Sequence, residues 1–185
     1  MATKRTRSES TPAADPLSGH IETIKNHIAF VDHLDKRDRV RIAETLQRII
    51  SEQRAFQEWT SDMVVYTNSL LPKFDSNGHG MLGQLVDDMN QMIEAAHTAT
   101  QRFNKIYTEW LDVRTEVIAS QARAAEKYKL LDTTEWDELL VEENGSTLVQ
   151  LRVELGCFKA RLTILKNYLD KNLDYLAELA RNASV

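Results

Sequence analysis

Leu17, Ile21, Ile24, Ile28, Val31 and Leu34 recur at steps of three and four. That spacing lines one face of a helix and predicts a first helix over about residues 18–35. Asp35 stands where a cap for the next helix is expected. The second helix is predicted over about 36–71. Every seventh residue there is apolar: Ile42, Ile49, Phe56, Met63 and Leu70. The companion row Leu46, Gln53, Thr60, Thr67 is mostly polar, and a neighbouring row offers Trp59 and Tyr66 instead. The reading is therefore a broad, mixed apolar face rather than a strict two-stranded zipper. Pro72 is expected to stop the helix.

A third helix is predicted over about 80–131. Leu82, Met89, Ala96, Phe103, Trp110, Val117, Ala124 and Leu131 are spaced by seven without exception. Leu85, Met92, Ala99, Ile106 and Val113 accompany them three residues on, and that row then fails at Ser120 and Lys127. At ~1.5 Å per residue such a helix is roughly 70 Å long, so it needs partners along most of its length. A short acidic helix over 134–143 follows, opened by a capping-box-like Thr134 and Asp137. Asn144-Gly145 is expected to end it, and Ser146 to cap a last helix over 147–182. In that helix Leu148, Leu155, Leu162, Leu169 and Leu176 repeat at seven, with Leu151, Phe158, Leu165, Asn172 and Leu179 between them. Asn172 is the one polar residue of this double seam. It reads either as a buried register-fixing amide or as a wet position near an open end.

The pattern predicts an all-α, elongated antiparallel helical bundle with long coiled-coil-like helices. Residues 1–16 read as a polar, disordered tail and 17–185 as a single bundle domain. Composition agrees: of 185 residues only 6 are Gly and 3 Pro, with 28% charged, a balance that favours helix. The net charge of −5 argues against a general nucleic-acid binder, whose footprint is basic. With one cysteine, Cys157, no internal disulfide can form, which fits a reducing compartment. No apolar run approaches the ~20 residues of a membrane span, and the amino-terminal stretch has no apolar core of a secretory signal. The expectation is an intracellular protein, cytoplasmic or nuclear. Lys4-Arg5-Thr6-Arg7 reads as a solvated tail or part of a nuclear address.

Ser76–Leu85 contains G-x-G-x-x-G at Gly78, Gly80 and Gly83. A dinucleotide loop needs a strand before it and a second strand some twenty residues on. Helices occupy both places, so these glycines read as a hinge between antiparallel helices. Di-iron bundles use two E-x-x-H pairs, and only Glu94–His97 matches here; none of His20, His27, His33 or His79 has a Glu three positions earlier. The five histidines read as surface or satisfied core, and Cys157 as a small core or boundary residue. The sequons at Asn144 and Asn182 are idle without a secretory signal. No cofactor or metal is implied, and no catalytic constellation is visible.

Three surfaces are candidates for contact. Arg37, Arg41 and Arg48, with Lys36 and Arg39 beside them, fall near one face and suit acidic headgroups or an acidic protein patch. The acidic segment Glu135 to Glu143 surrounds Trp136, Leu139 and Leu140, and either docks in a partner groove or folds over its own bundle. The third-helix seam around Phe103, Tyr107 and Trp110 is core unless that helix outruns its neighbours, in which case an uncovered row implies a partner. The sequence thus points to a non-enzymatic scaffold or adaptor that assembles with itself or with another helical chain. A peripheral membrane module binding anionic lipid through the basic start of the second helix is the alternative.

Overall fold

The computed structural model describes residues 15–75, 80–128 and 133–182. Four helices follow one another: α1 (Asp15–Val31), α2 (Arg39–Asp75), α3 (Gly80–Tyr128) and α4 (Thr134–Asn182). The described residues contain no strand. The helices run alternately up and down, with α2 on α3, α3 on α4, α4 on α1, and α2 also meeting α4. The chain is therefore an all-α antiparallel bundle. The expected tail up to residue 14, Lys4–Arg7 included, and the hinge at 76–79 with Gly78 and His79 lie outside the described residues. So do residue 131 and the side chains of Leu70, Leu82 and Leu179.

The heptad rows make the core. Ile42, Ile49, Phe56 and Met63 from α2, Met89, Ala96, Phe103 and Trp110 from α3, and Leu155, Phe158, Leu162, Leu165 and Leu169 from α4 are all buried. Leu17, Ile24 and Val31 close the core from α1. At mid-height one ring from each helix meets the next. Phe158 packs edge-on to Phe56 (centroids 5.4 Å apart) and Phe103 (5.7 Å), and His20 packs edge-on to Phe56 (5.3 Å). Edge-to-face pairs at these separations add to the burial they accompany.

Several local expectations give way to tertiary packing. The first helix begins at Asp15, two residues inside the expected tail; Pro16 suits a first turn, where no N–H is required. It ends at Val31, and tight turns follow, with His33 N–H bonded to Phe30 O and Leu34 N–H to Val31 O. Asp38, not Asp35, caps α2 by accepting Arg41 N–H at 3.1 Å; Asp35 instead closes a local turn onto Arg37 N–H. Helix α2 runs through Pro72 to Asp75. Pro72 therefore does not stop α2.

The polar companion row of α2 faces inward after all. Gln53, Thr60 and Thr67 are buried, while Trp59 and Tyr66 are only half-buried. For Thr60 and Thr67 heptad geometry outweighs side-chain polarity because α3 supplies polar partners, whereas the buried Gln53 Oε1 has none. The Thr60 hydroxyl donates to Gln57 O (2.8 Å) and accepts from His97 Nδ1 (2.9 Å). Thr67 bonds Asn90, whose amide donates to Asn68. Gln57 donates to the Thr100 hydroxyl (2.7 Å) and Gln47 to Tyr107 (2.8 Å). On α3, Val86, Ile93 and Thr100 take the inner companion line and leave Leu85 and Met92 half-buried.

Helix α4 is continuous from Thr134 to Asn182, so Asn144-Gly145 does not divide it. At its start the Thr133 hydroxyl bonds the Asp137 carboxylate. Near its end Leu173 is buried, while Asn172 is half-buried and donates to Tyr168 O in its own helix. The bond Asn172 makes thus lies within its own helix and not across the seam.

Phe158 joins the rings of α2 and α3. Phe158→Ala is expected to cost roughly 3–5 kcal/mol in urea unfolding, and Phe158→Leu to recover most of it.

Candidate functional site

Asn144 is 2% exposed and joins three segments. Its Oδ1 accepts from Trp110 Nε1 at 2.9 Å and from Arg114 at 3.4 Å, and its Nδ2 donates to Lys36 O at 2.8 Å. Gly145 sits beside the same turn: a Cβ there would lie 3.5 Å from Lys36 Cδ. Arg114 also lies over the Trp110 ring, 5.0 Å from its centroid. Burial, and then the charge of Arg39, lower its pKa from the usual guanidinium value. The amide thus fastens the α1–α2 turn to both long helices. These tertiary bonds explain why an Asn-Gly pair sits within a helix instead of ending one.

Above this level α1 and α2 are absent, and α3 with the start of α4 continues as a two-helix arm. At ~1.5 Å per residue it projects about 25 Å. No described residue of 111–128 or 133–143 is buried. Val113, Val117 and Ala124 of α3 and Trp136 and Leu140 of α4 are half-buried between the two helices, and half-buried Val141 lines the groove toward Lys36 and Arg37. Leu111 (40%), Ile118 (50%) and Leu139 (50%) are exposed. A small cavity of about 260 Å³ opens between Ile118, Ala122, Ala125 and Trp136. The acidic segment therefore packs on its own α3 through Trp136 and presents Leu139 outward.

The remaining expected contact residues separate. Trp110 is core. Arg41 and Arg48 are exposed and line a groove of about 740 Å³ between α1 and α2, where Arg41 pairs with Asp38 (3.6 Å) and Arg48 with Glu52 (2.9 Å). Arg37 lies in a different groove, with Lys36 against Glu135, Asp137, Glu138 and Glu142 at the foot of the arm. The three arginines do not form one face, because Arg37 belongs to the turn and not to the helix.

The α1–α2 groove holds a pair that no residue spacing indicates. His27 is buried and its Nε2 bonds the Glu52 carboxylate. Burial alone would raise the Glu52 pKa, but the bonds from His27 and Arg48 outweigh it and hold the carboxyl below its ordinary value. Neighbouring His20 is lowered by burial, against the opposing pull of Glu52. These residues lie on different helices, so no spacing rule could have joined them. Leu111 and Ile118 did carry a signal, a step of seven one residue off the core row.

His97 of the E-x-x-H match is engaged by Thr60, and Glu94 is exposed. Among the described residues no three His, Cys, Asp or Glu side chains group to hold a metal ion. Gly80 and Gly83 lie in the first turn of α3. Cys157 is exposed, not a core or boundary residue. Among the described residues no helix is long and apolar enough to cross a membrane. Compared with family models, curated proteins and solved structures, the chain matches none.

Asn144→Ala leaves the Trp110 indole and Lys36 carbonyl unpartnered, so a loss of about 2 kcal/mol is expected, or roughly 4–8 °C in Tm. Gly145→Ala meets only ordinary contact and is expected to stabilise by up to about 1 kcal/mol, the reverse of what a helix-ending glycine would show. For Glu52, a folded pKa below the unfolded one stabilises above the ordinary carboxyl value, about 4.3, and that contribution fades as pH falls through the depressed value. Acid titration of Tm is expected to show a smaller loss over this window in Glu52→Gln than in the parent chain.

Proposed function

We propose that this chain is a non-catalytic adaptor whose α3–α4 arm receives a basic amphipathic helix of a partner protein. The observation that carries this reading is the arm itself. It projects beyond α1 and α2 and exposes Leu111, Ile118 and Leu139, and Glu135, Asp137, Glu138 and Glu142 lie around Leu139 in the groove that Lys36 and Arg37 of the turn also line. A helix laid in an apolar groove needs anchors at helical spacing and opposite charge at the rim. Residues elsewhere support the same reading: the inward-facing polar groups of α2 and α3 serve the packing of those two helices.

Photo-crosslinking in cells tests it. A photoreactive residue at Ile118 or Leu139 is expected to capture a discrete partner through a basic helical segment, and the same group at exposed Glu58 is not. Ile118→Asp with Leu139→Asp is expected to abolish binding of a peptide bearing that segment at unchanged helix content. Equal capture from both regions, or peptide binding that survives the double substitution, would sink the proposal.

A further inference from the structure

Helix α4 carries a second apolar row, on the side away from the core. Val149, Val153 and Ile164 are 65%, 56% and 60% exposed, and Ala160 is exposed with them. Steps of four, seven and four place these residues on one line of the helix. Leu155, Phe158 and Leu162 face the opposite way, into the bundle. Between the ends of the row lie Gly156 and exposed Cys157. No heavy atom lies within 4 Å of where a Gly156 Cβ would sit. A glycine inside a helix costs about 1 kcal/mol relative to alanine, and among the described residues nothing requires the missing side chain here, as is also true of Gly19 and Gly83. Close approach by another backbone does require it.

The ends of the row carry charge. From Ser146 to Asn167 the line holds none; Glu142 precedes it and Lys171 follows it, both exposed. The arrangement is symmetric in kind about the point between Gly156 and Cys157. We propose that this row is a homodimer interface, in which α4 of a second copy lies antiparallel across a two-fold axis passing between Gly156 and Cys157. Val149 of one copy then faces Ile164 of the other, Val153 faces Ala160, and Gly156 faces Cys157. Ser146 meets Asn167, and Glu142 meets Lys171 at both ends. On the flank toward α3, Glu154 of one copy comes beside Arg161 of the other, while also holding Arg102 of its own chain (3.2 Å). Parallel pairing would set Glu142 against Glu142 and Lys171 against Lys171. The row thus supplies its own complementary charge only when it meets itself reversed, and this selects a second copy as the occupant.

Sedimentation of the purified full chain over a wide concentration range is expected to show a monomer–dimer equilibrium. Val153→Glu, at an exposed position, is expected to leave a monomer with unchanged far-UV circular dichroism. Glu142→Lys is expected to weaken the dimer roughly tenfold in Kd, and adding Lys171→Glu to restore it. A short bismaleimide is expected to join Cys157 of the two copies, and to fail in the Val153→Glu chain. Gly156→Gln is expected to raise monomer stability through helix propensity while weakening the dimer. A chain that stays monomeric throughout, or a dimer indifferent to Val153→Glu, overturns the proposal. Failure of the charge reversal to restore association, or absence of the Cys157 crosslink, overturns the antiparallel geometry. Ile118→Asp with Leu139→Asp is expected to leave the dimer intact, so this proposal and the adaptor reading fail separately.

Discussion

A single buried amide sets the shape of this molecule. Four helices of unequal reach cannot share a core along their whole length, so the short pair must stop somewhere and the long pair must be held where it does. Asn144 occupies that place. Its carbonyl oxygen takes the Trp110 indole and Arg114, and its NH2 takes the carbonyl of Lys36 in the α1–α2 turn. A side chain able both to donate and to accept is needed there. Below it the rows of Phe, Leu and Ile meet from four sides. Above it two helices have only each other, and side chains that would be core lower down are left half-covered.

Helix α4 therefore faces three environments in turn. Its beginning belongs to the arm, its inner line to the core, and its outer line to solvent or a second copy. Most polar groups that might have suggested chemistry are taken up by structure. His97 is held by Thr60, Thr100 by Gln57, and His27 by Glu52. At the pairing of His27 with Glu52 burial and bonding are opposed, since desolvation pushes the carboxyl up and the bonds from His27 and Arg48 bring it down.

The number of long helices, their direction and most of their buried residues were legible from the spacing of apolar side chains. Among the described residues the leading every-seventh rows of α2, α3 and α4 are buried wherever α1 and α2 reach. What failed was local punctuation read without its neighbours. Asn144-Gly145 looks like a helix end until Lys36 and Trp110 are brought to it. Pro72 looks like a stop, yet α2 continues three residues past it. Gln53, Thr60 and Thr67 look like surface residues until α3 presents groups that pair with two of them. Of the expected contact residues, Trp136 and Leu139 share the arm, Trp110 is core, and the three arginines divide between two grooves. The outer row of α4 was visible in principle, because Val149, Val153, Ala160 and Ile164 repeat on the side opposite the leucines.

The polar rungs between α2 and α3 have a consequence for how this chain finds its native alignment. Rows of oily side chains recurring at seven are nearly blind to a shift of one repeat, since one isoleucine or methionine replaces another. The rungs Thr60–His97 and Thr67–Asn90 stand one repeat apart themselves, so a slide of seven sets Thr60 against Asn90 in one direction and Thr67 against His97 in the other. The rung Gln57–Thr100 has no such copy. A slide either way sets Thr100 against an aliphatic side chain, Ile50 or Val64, and its bond from Gln57 is lost. That one rung is a notch on a ruler, which the smooth apolar strip beside it cannot provide.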